Sequence, residues 1–185
     1  MPNNCYGKLK ILANGPRIEE VLGFIRSDDS LFDFNKVVPM PDYIYRGDLG
    51  TEERQKYGLN NWYDWSCCNW GTKGNAVDVK VDGNSLHFWT AWSPCSPVIL
   101  ALSRIFPDVG FMYYFLDEGG FFSGIECYSE GRLATKEEYN CPMDHIAEEL
   151  GLRKIDFYDD DLPESPRAPS NPLVQSFTKG VRRDI

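Results

Sequence analysis

Length, composition and charge set the first limits on this protein. At 185 residues the chain fits a single domain whose core can fold without metal or disulfide staples. Its formal net charge of −9 argues against direct binding to nucleic acid or to anionic membranes, since both need clustered Lys and Arg. The sequence shows neither a membrane-spanning run nor a signal peptide, so we expect a cytoplasmic protein without a membrane segment.

The six cysteines are expected to be reduced thiols, because no export signal accompanies them. A zinc site needs paired spacings such as C-x₂-C, whereas Cys67 and Cys68 are adjacent and Cys141 precedes His145 in isolation. We therefore predict no metal site and no cofactor.

The N-terminal part of the chain predicts two strands and a helix. Residues 5–13 alternate apolar and polar side chains ahead of an Asn-Gly turn, which indicates a first strand. Pro16 opens a segment with apolar residues at helical spacing, so we expect a helix that ends near Ser27. Residues 31–38 alternate again and predict a short strand that stops at Pro39.

A polar insertion follows this predicted strand. Residues 42–60 read as a loop with one or two helical turns over residues 52–57. Residues 61–76 contain three Trp among Gly and Asn without a regular period, so we expect a loop, the Trp-rich loop. The insertion therefore extends over about residues 42–76.

The clearest local prediction is a hairpin. Residues 77–81 and 86–92 both alternate, and they are joined by the turn sequence Asp82-Gly83-Asn84. The two strands are therefore expected to pair directly.

A helix and a second hairpin come next. Ser96 is the predicted N-cap of a helix that has Pro97 at its first position and ends before Pro107. Two further strands, at about 109–117 and 121–129, are joined across a Gly-Gly turn.

The order of these elements predicts the fold class. Strand, helix and strand, then the insertion, then two strands, a helix and two strands make an α+β two-layer sandwich. We expect a mainly antiparallel sheet with two main helices on one face, a ferredoxin-like variant. Residues 143–150 favour a further short helix, and the single domain should span residues 1–158, followed by a flexible tail at 159–185.

Several segments are similar to those of a known family. They are the opening MPNNC, the stretch NWGTKGNA, the junction FWTAWSPCSPV, the helix end LSRIFPD and the DEGG double strand. Together they resemble the YubB-like proteins of plasmids, phages and bacteria over about residues 2–133. Gly74 stands where that family usually places Trp. The resemblance implies a ferredoxin-like domain and such an origin, and it implies no reaction.

Catalytic arrangements are not apparent in the sequence. The two histidines, His87 and His145, have no predicted nucleophile and orienting group beside them. The sequence Gly71-Thr72-Lys73 lacks the spacing of a phosphate-binding loop. We therefore predict no catalytic residues.

Carboxylates also occur as neighbours, at Asp117-Glu118 and Glu137-Glu138. Acid–base catalysis needs two carboxyl groups that converge across a cleft in different environments, and adjacent acids in turns and charged segments are usually solvated. These pairs give no support to a hydrolase.

The Trp-rich loop is the local feature of the sequence that is unusual enough to suggest a function. One interpretation is a stacking platform for a base, a sugar or a partner, in which Trp62, Trp65 and Trp70 join Trp89 and Trp92. The other is that the rings cap one end of the sheet. The predicted binding residues are Trp65, Asn69, Trp70, Thr72, Lys73, Asn75, His87, Trp92 and Glu118.

Three functional hypotheses follow. The leading one is a non-catalytic binding or interaction protein of a phage, plasmid or bacterium that contacts a protein or a small ligand near Trp70 and Trp92. The second is a small-molecule or nucleotide-handling enzyme with a pocket under the Trp-rich loop, where His87 or Glu118 would face the ligand. The third is an acidic inhibitor of a host defence protein, with carboxylates clustered on one face as a phosphate mimic.

Overall fold

The computed structural model describes residues 3–152, so the predicted tail at 159–185 lies outside the described residues. The strands are β1 (Asn4–Leu12), β2 (Val77–Asp82), β3 (Ser85–Ala91), β4 (Gly110–Asp117), β5 (Ser123–Ser129) and β6 (Arg132–Tyr139). The helices are α1 (Gly15–Ile25), α2 (Phe34–Val37), α3 (Thr51–Tyr57), α4 (Trp62–Trp70), α5 (Ser96–Ile105) and α6 (Asp144–Leu150).

The six strands form one open sheet in the order β2-β3-β1-β4-β5-β6, with antiparallel pairing throughout. The first four strands in this order have the arrangement of a ferredoxin-like sheet, in which α1 and α5 lie in the two strand-to-strand crossovers. Strands β5 and β6 extend the sheet beyond β4. The predicted α+β class and ferredoxin-like architecture are therefore confirmed.

Strand β1 lies at the centre of this sheet, and its side chains alternate between two environments. Cys5, Leu9 and Ile11 are buried against the layer that contains α1 and α5. Tyr6 and Lys8 point to the opposite face. Because side chains alternate strictly along a strand, this one register separates the two faces of the molecule.

The first face carries the larger core. Helix α1 contributes Val21 and Ile25, and α5 contributes Val98, Ile99 and Leu102. These side chains pack on a sheet surface that is rich in aromatic rings. The largest fully buried side chains of this core include Phe88, Phe111, Tyr113 and Phe115 of the sheet, together with Phe32 and Phe34 at and before α2.

Helix α6 covers part of the second face. Its residues Ile146 and Leu150 pack on Met112, Tyr114 and Leu116 of β4. The short helix predicted at 143–150 is confirmed. The two main helices, α1 and α5, lie on one face as expected, and α6 adds a partial third layer on the other.

The prediction of a strand at residues 31–38 is wrong, because the chain forms α2 there. The Asp33 side chain accepts a hydrogen bond from the backbone N–H of Asn35 and caps this helix. Phe34 and Val37, one helical turn apart, are both buried. The apolar pattern was therefore a single amphipathic turn held by its cap.

The loop predicted at residues 61–76 is also partly wrong, because its first half forms α4. The buried Asn61 side chain accepts hydrogen bonds from the N–H groups of Tyr63 and Asp64. Gly71 ends the helix with φ +79°, a conformation that suits glycine. Capping at both ends thus makes a helix from residues that show no helical period.

Two smaller corrections concern the later elements. The N-cap of α5 is Cys95 rather than Ser96. Strand β6 was not predicted, because its side chains are mostly exposed and charged at the edge of the sheet. Charged edge strands are common, since they resist pairing with other chains, but they lack the apolar alternation that reveals a strand.

The close approach between β5 and its neighbours gives a test of the sheet. A Cβ atom at Gly124 would lie 2.7 Å from the Glu137 carbonyl oxygen and would also meet the Phe115 ring. We expect Gly124→Ala to lower the free energy of unfolding by about 1–3 kcal/mol in urea denaturation.

Gly23→Ala is the matched control for Gly124→Ala. Gly23 lies in α1, and nothing lies within 4 Å of the added Cβ. This change should raise the free energy of unfolding by up to about 1 kcal/mol, because alanine favours helix. Equal stability of the two variants would contradict the strand packing.

Candidate functional site

Trp70 is a structural residue at the end of α4. Its side chain is 4% exposed, and its Nε1–H donates a hydrogen bond of 2.9 Å to the Val38 carbonyl. The ring packs edge-to-face against Phe34 and Trp65, with centroid distances of 5.7 and 5.4 Å. The space at Trp70 is therefore filled, and the capping interpretation describes this part of the Trp-rich segment.

Asn75 is likewise engaged within the protein. Its Oδ1 accepts a hydrogen bond of 2.8 Å from the Phe34 N–H, and its Nδ2 donates one of 2.9 Å to Asp33. The side chain thus connects the segment before β2 to the start of α2. We assign Asn75 to the fold.

Thr72 and Asn69 also bond to the backbone. The Thr72 hydroxyl donates to the Ala91 carbonyl at 2.8 Å, and the Asn69 Nδ2 donates to the Trp65 carbonyl at the same distance. Thr72 is fully enclosed, with 1% exposure. These bonds fix the path of residues 69–76 beside the end of β3.

Trp92, which follows β3, is displayed rather than buried. Its side chain is 44% exposed, and its φ is +73°, a region that a bulky residue rarely adopts. Its N–H donates to the Asn3 carbonyl at 2.9 Å, and the Thr90 hydroxyl donates to the Ser93 carbonyl at 2.8 Å. Such strain costs about 1–3 kcal/mol and persists only where surrounding bonds enforce it.

Trp92 has aromatic and cationic neighbours. Lys73 Nζ lies 5.1 Å from the centroid of the Trp92 ring, and the Tyr63 ring meets Trp92 at 6.4 Å. Tyr63 in turn contacts Trp62 at 5.8 Å and lies 5.4 Å from the Arg54 guanidinium. We call these five residues, Arg54, Trp62, Tyr63, Lys73 and Trp92, the Trp92 surface.

Gly71 brings the two halves of the Trp92 surface together. The Ser93 hydroxyl donates a hydrogen bond of 2.6 Å to the Gly71 carbonyl, which ties the loop after β3 to the end of α4. A Cβ at Gly71 would lie 2.8 Å from Pro97 Cδ. This close approach places Lys73 beside Trp92.

The structure separates His87 from Glu118 and from the Trp92 surface, whereas Glu118 and Trp92 bond to the two sides of the same Asn3–Asn4 peptide. His87 pairs with Lys8 in the middle of the sheet, whereas the Glu118 carboxylate accepts from the Asn4 N–H at 2.9 Å. Four residues of β1 separate these contacts, on the order of 13 Å along the strand. Burial, and then the neighbouring Lys8, lower the pKa of His87.

A second feature lies on the α6 face, beyond the edge of that helix. It is an open cleft of about 550 Å³ lined by Asp78, Val79, Lys80, His87, Trp89 and Leu150. Trp89 packs edge-to-face against Tyr6 at 4.7 Å. Trp89 therefore belongs to the face opposite Trp70, and the alternation of β3 was the signal that pointed to this.

The six cysteines form no disulfide bonds among residues 3–152. Burial raises the pKa of Cys95 to about 12 and also raises the pKa of Cys5. Among residues 3–152, no group of three or more His, Cys, Asp and Glu side chains has the arrangement of a metal site.

The helices of residues 3–152 are all short. Among these residues, none of the helices has the length and apolar character needed to cross a bilayer.

The fold defines the class of protein as a ferredoxin-like α+β domain, and a family model agrees with this class. Residues 69–153 match the model of a family described as "Ferredoxin-like domain in Api92-like protein". A crystal structure of a protein api92 from Yersinia pseudotuberculosis is 17% identical, with a TM-score of 0.35. The alignment covers 46% of this chain and 33% of that one. No curated protein matches the chain.

The contrast between two tryptophans gives a stability prediction. Trp70→Ala should lower the free energy of unfolding by about 3–5 kcal/mol, because it empties a filled core position. Trp92→Gly should change it by no more than about 1 kcal/mol, because glycine adopts positive φ without strain and offsets the lost ring contacts. Urea denaturation measures both, and a Trp92→Gly loss as large as that of Trp70→Ala would contradict the assignment.

Thiol reactivity is a further test. Cys68 is exposed, whereas Cys5 and Cys95 are buried with raised pKa values. We expect iodoacetamide to modify Cys68 in the native protein and to modify Cys5 and Cys95 only after denaturation, because the thiolate is the nucleophile. Peptide mass spectrometry measures this, and labelling of native Cys95 as fast as Cys68 would show that the core is not closed.

Proposed function

We propose that this chain is a non-catalytic binding protein that contacts a protein partner through the Trp92 surface. The observation that supports it is Trp92 itself, an exposed ring on a strained backbone. The hydrogen bonds from the Trp92 N–H and the Thr90 hydroxyl hold this backbone, and backbone strain often clusters at functional sites. The strain is consistent with a ring that is held ready for contact.

The composition of the Trp92 surface supports a protein partner. Trp, Tyr and Arg are the residue types that contribute most to protein–protein binding, and here Trp62, Tyr63, Trp92 and Arg54 lie together. The Arg54 guanidinium lies over the Tyr63 ring, and the Lys73 ammonium lies over the Trp92 ring. A partner with an apolar side chain surrounded by carboxylates would complement this arrangement.

The two other hypotheses find less support. An enzyme pocket under the Trp-rich segment would need open space at Trp70, where the Phe34 and Trp65 rings lie instead. A phosphate mimic needs carboxylates gathered on one face. Here several are paired with cations on different elements, such as Glu149 with Lys8 and Lys10.

The setting of this function is part of the proposal. The YubB-like resemblance supports a protein of a phage, plasmid or bacterium, and the free thiols are compatible with the reducing cytoplasm.

Affinity purification from the source cells tests the proposed function. The tagged full chain should retain a protein that Trp92→Gly and Lys73→Gln each reduce by roughly tenfold or more, because each removes one side of the contact. Quantitative mass spectrometry measures the recovery, and native mass spectrometry shows whether the contact is direct.

Leu133→Ser is the matched control for this purification. Leu133 is 43% exposed, close to the value for Trp92, and lies on the edge strand β6. It should leave the recovery unchanged. Equal recovery with all variants would contradict the proposal, as would a retained small molecule, lost with Trp92→Gly, in place of a protein.

A further inference from the structure

We infer that the open part of the α6 face binds a mononucleotide, with its base against the Trp89 ring and its phosphate beside Lys80 and His87. This site is distinct from the Trp92 surface. It lies on the other face of the sheet and does not depend on the proposed protein partner.

Strand register places the required groups in two adjacent rows. Trp89 pairs with Tyr6, and two residues along the strands, Lys80 pairs with His87, which pairs with Lys8. Paired residues point to the same face, and two residues span about 7 Å. A row of aromatic rings therefore runs beside a row of basic side chains, which is the order of base and phosphate in a nucleotide.

The space above these rows suits a small ligand. Helix α6 ends at Leu150, which forms one wall of the cleft, and the helix covers β4 rather than β2 and β3. The cleft volume of about 550 Å³ lies within the range of small-molecule sites. A single nucleotide would rest on the sheet with Leu150 beside it.

The backbone at the rim of the cleft is irregular. The pairing of β2 with β3 shifts between Val77 and Lys80, and Asp78 in this bulge has φ +51°. Bulges and positive φ at non-glycine residues often occur beside functional sites. The Asp78 carboxylate lines the cleft, where it would accept hydrogen bonds from a ribose hydroxyl or an exocyclic amine.

The charge around the cleft favours a mononucleotide over a longer nucleic-acid strand. Lys8 Nζ donates a hydrogen bond of 2.8 Å to the Glu149 carbonyl, and Lys10 Nζ lies 2.6 Å from the Glu149 carboxylate. Glu149 thus holds both lysines in place and neutralises part of their charge. A local basic row in a protein of net charge −9 suits one phosphate group, whereas a polyanion would be repelled by the rest of the molecule.

Isothermal titration calorimetry of the full chain tests this site with four probes. Adenosine 5′-monophosphate should bind with one-to-one stoichiometry. Adenosine, which lacks the phosphate, should bind about tenfold more weakly, and inorganic phosphate, which lacks the base, should bind more weakly still. A hexanucleotide should gain less than about tenfold over the mononucleotide. A gain above about a hundredfold would identify single-stranded nucleic acid as the ligand and overturn the inference.

Two substitutions and two controls locate the binding. Trp89→Leu and Lys80→Gln should each weaken the mononucleotide by about tenfold or more, whereas Trp89→Phe, which keeps a ring, should retain affinity within about threefold. Lys36→Gln removes an exposed lysine on α2 and should have no effect. Circular dichroism confirms the fold of each variant. Absence of binding at millimolar mononucleotide, or equal affinity of wild type and Trp89→Leu, would overturn the inference.

Discussion

The register of β1 between β3 and β4 is the constraint on which the rest of the structure depends. A Cβ at Gly7 would lie 2.8 Å from the Phe88 ring, and Phe88 stacks on Tyr113 with a centroid distance of 6.0 Å. This close packing leaves room only for glycine at the centre of the sheet. Since side chains alternate, a slip by one residue would drive Lys8 and Lys10 into the apolar core. The same register therefore fixes both the closed core and the open cleft.

Sequence reasoning succeeded where structure is encoded by local periodicity. The strands at 5–13 and 77–92 alternate beside recognisable turns, so these strands and the hairpin pairing within 77–92 were predictable. It failed at 31–38 and 61–76, where short helices are stabilised by caps and by tertiary contacts such as the bond from the Phe34 N–H to Asn75. Such contacts join distant parts of the chain, and no local pattern reveals them.

The candidate site was predicted by residue type and only partly by position. Trp70 and Trp92 were treated as one platform, yet one ring fills the core and the other is displayed on a strained backbone. A positive φ at tryptophan has no signature in the sequence. Trp89 was also placed in that platform, which is wrong, although the alternation of β3 turns it to the opposite face. The cleft beside Trp89 could not be predicted, because it depends on which part of the sheet α6 leaves open.

The tryptophans have two different roles: Trp70 fills the core, whereas Trp92 is exposed on the surface. Hydroxyl-radical footprinting with mass spectrometry measures this directly, because the oxidation rate of a side chain follows its exposure to solvent. We expect fast oxidation of Trp92, which is 44% exposed, and protection of Trp70, which is 4% exposed, in the native protein. Equal oxidation of Trp70 and Trp92 would contradict this assignment.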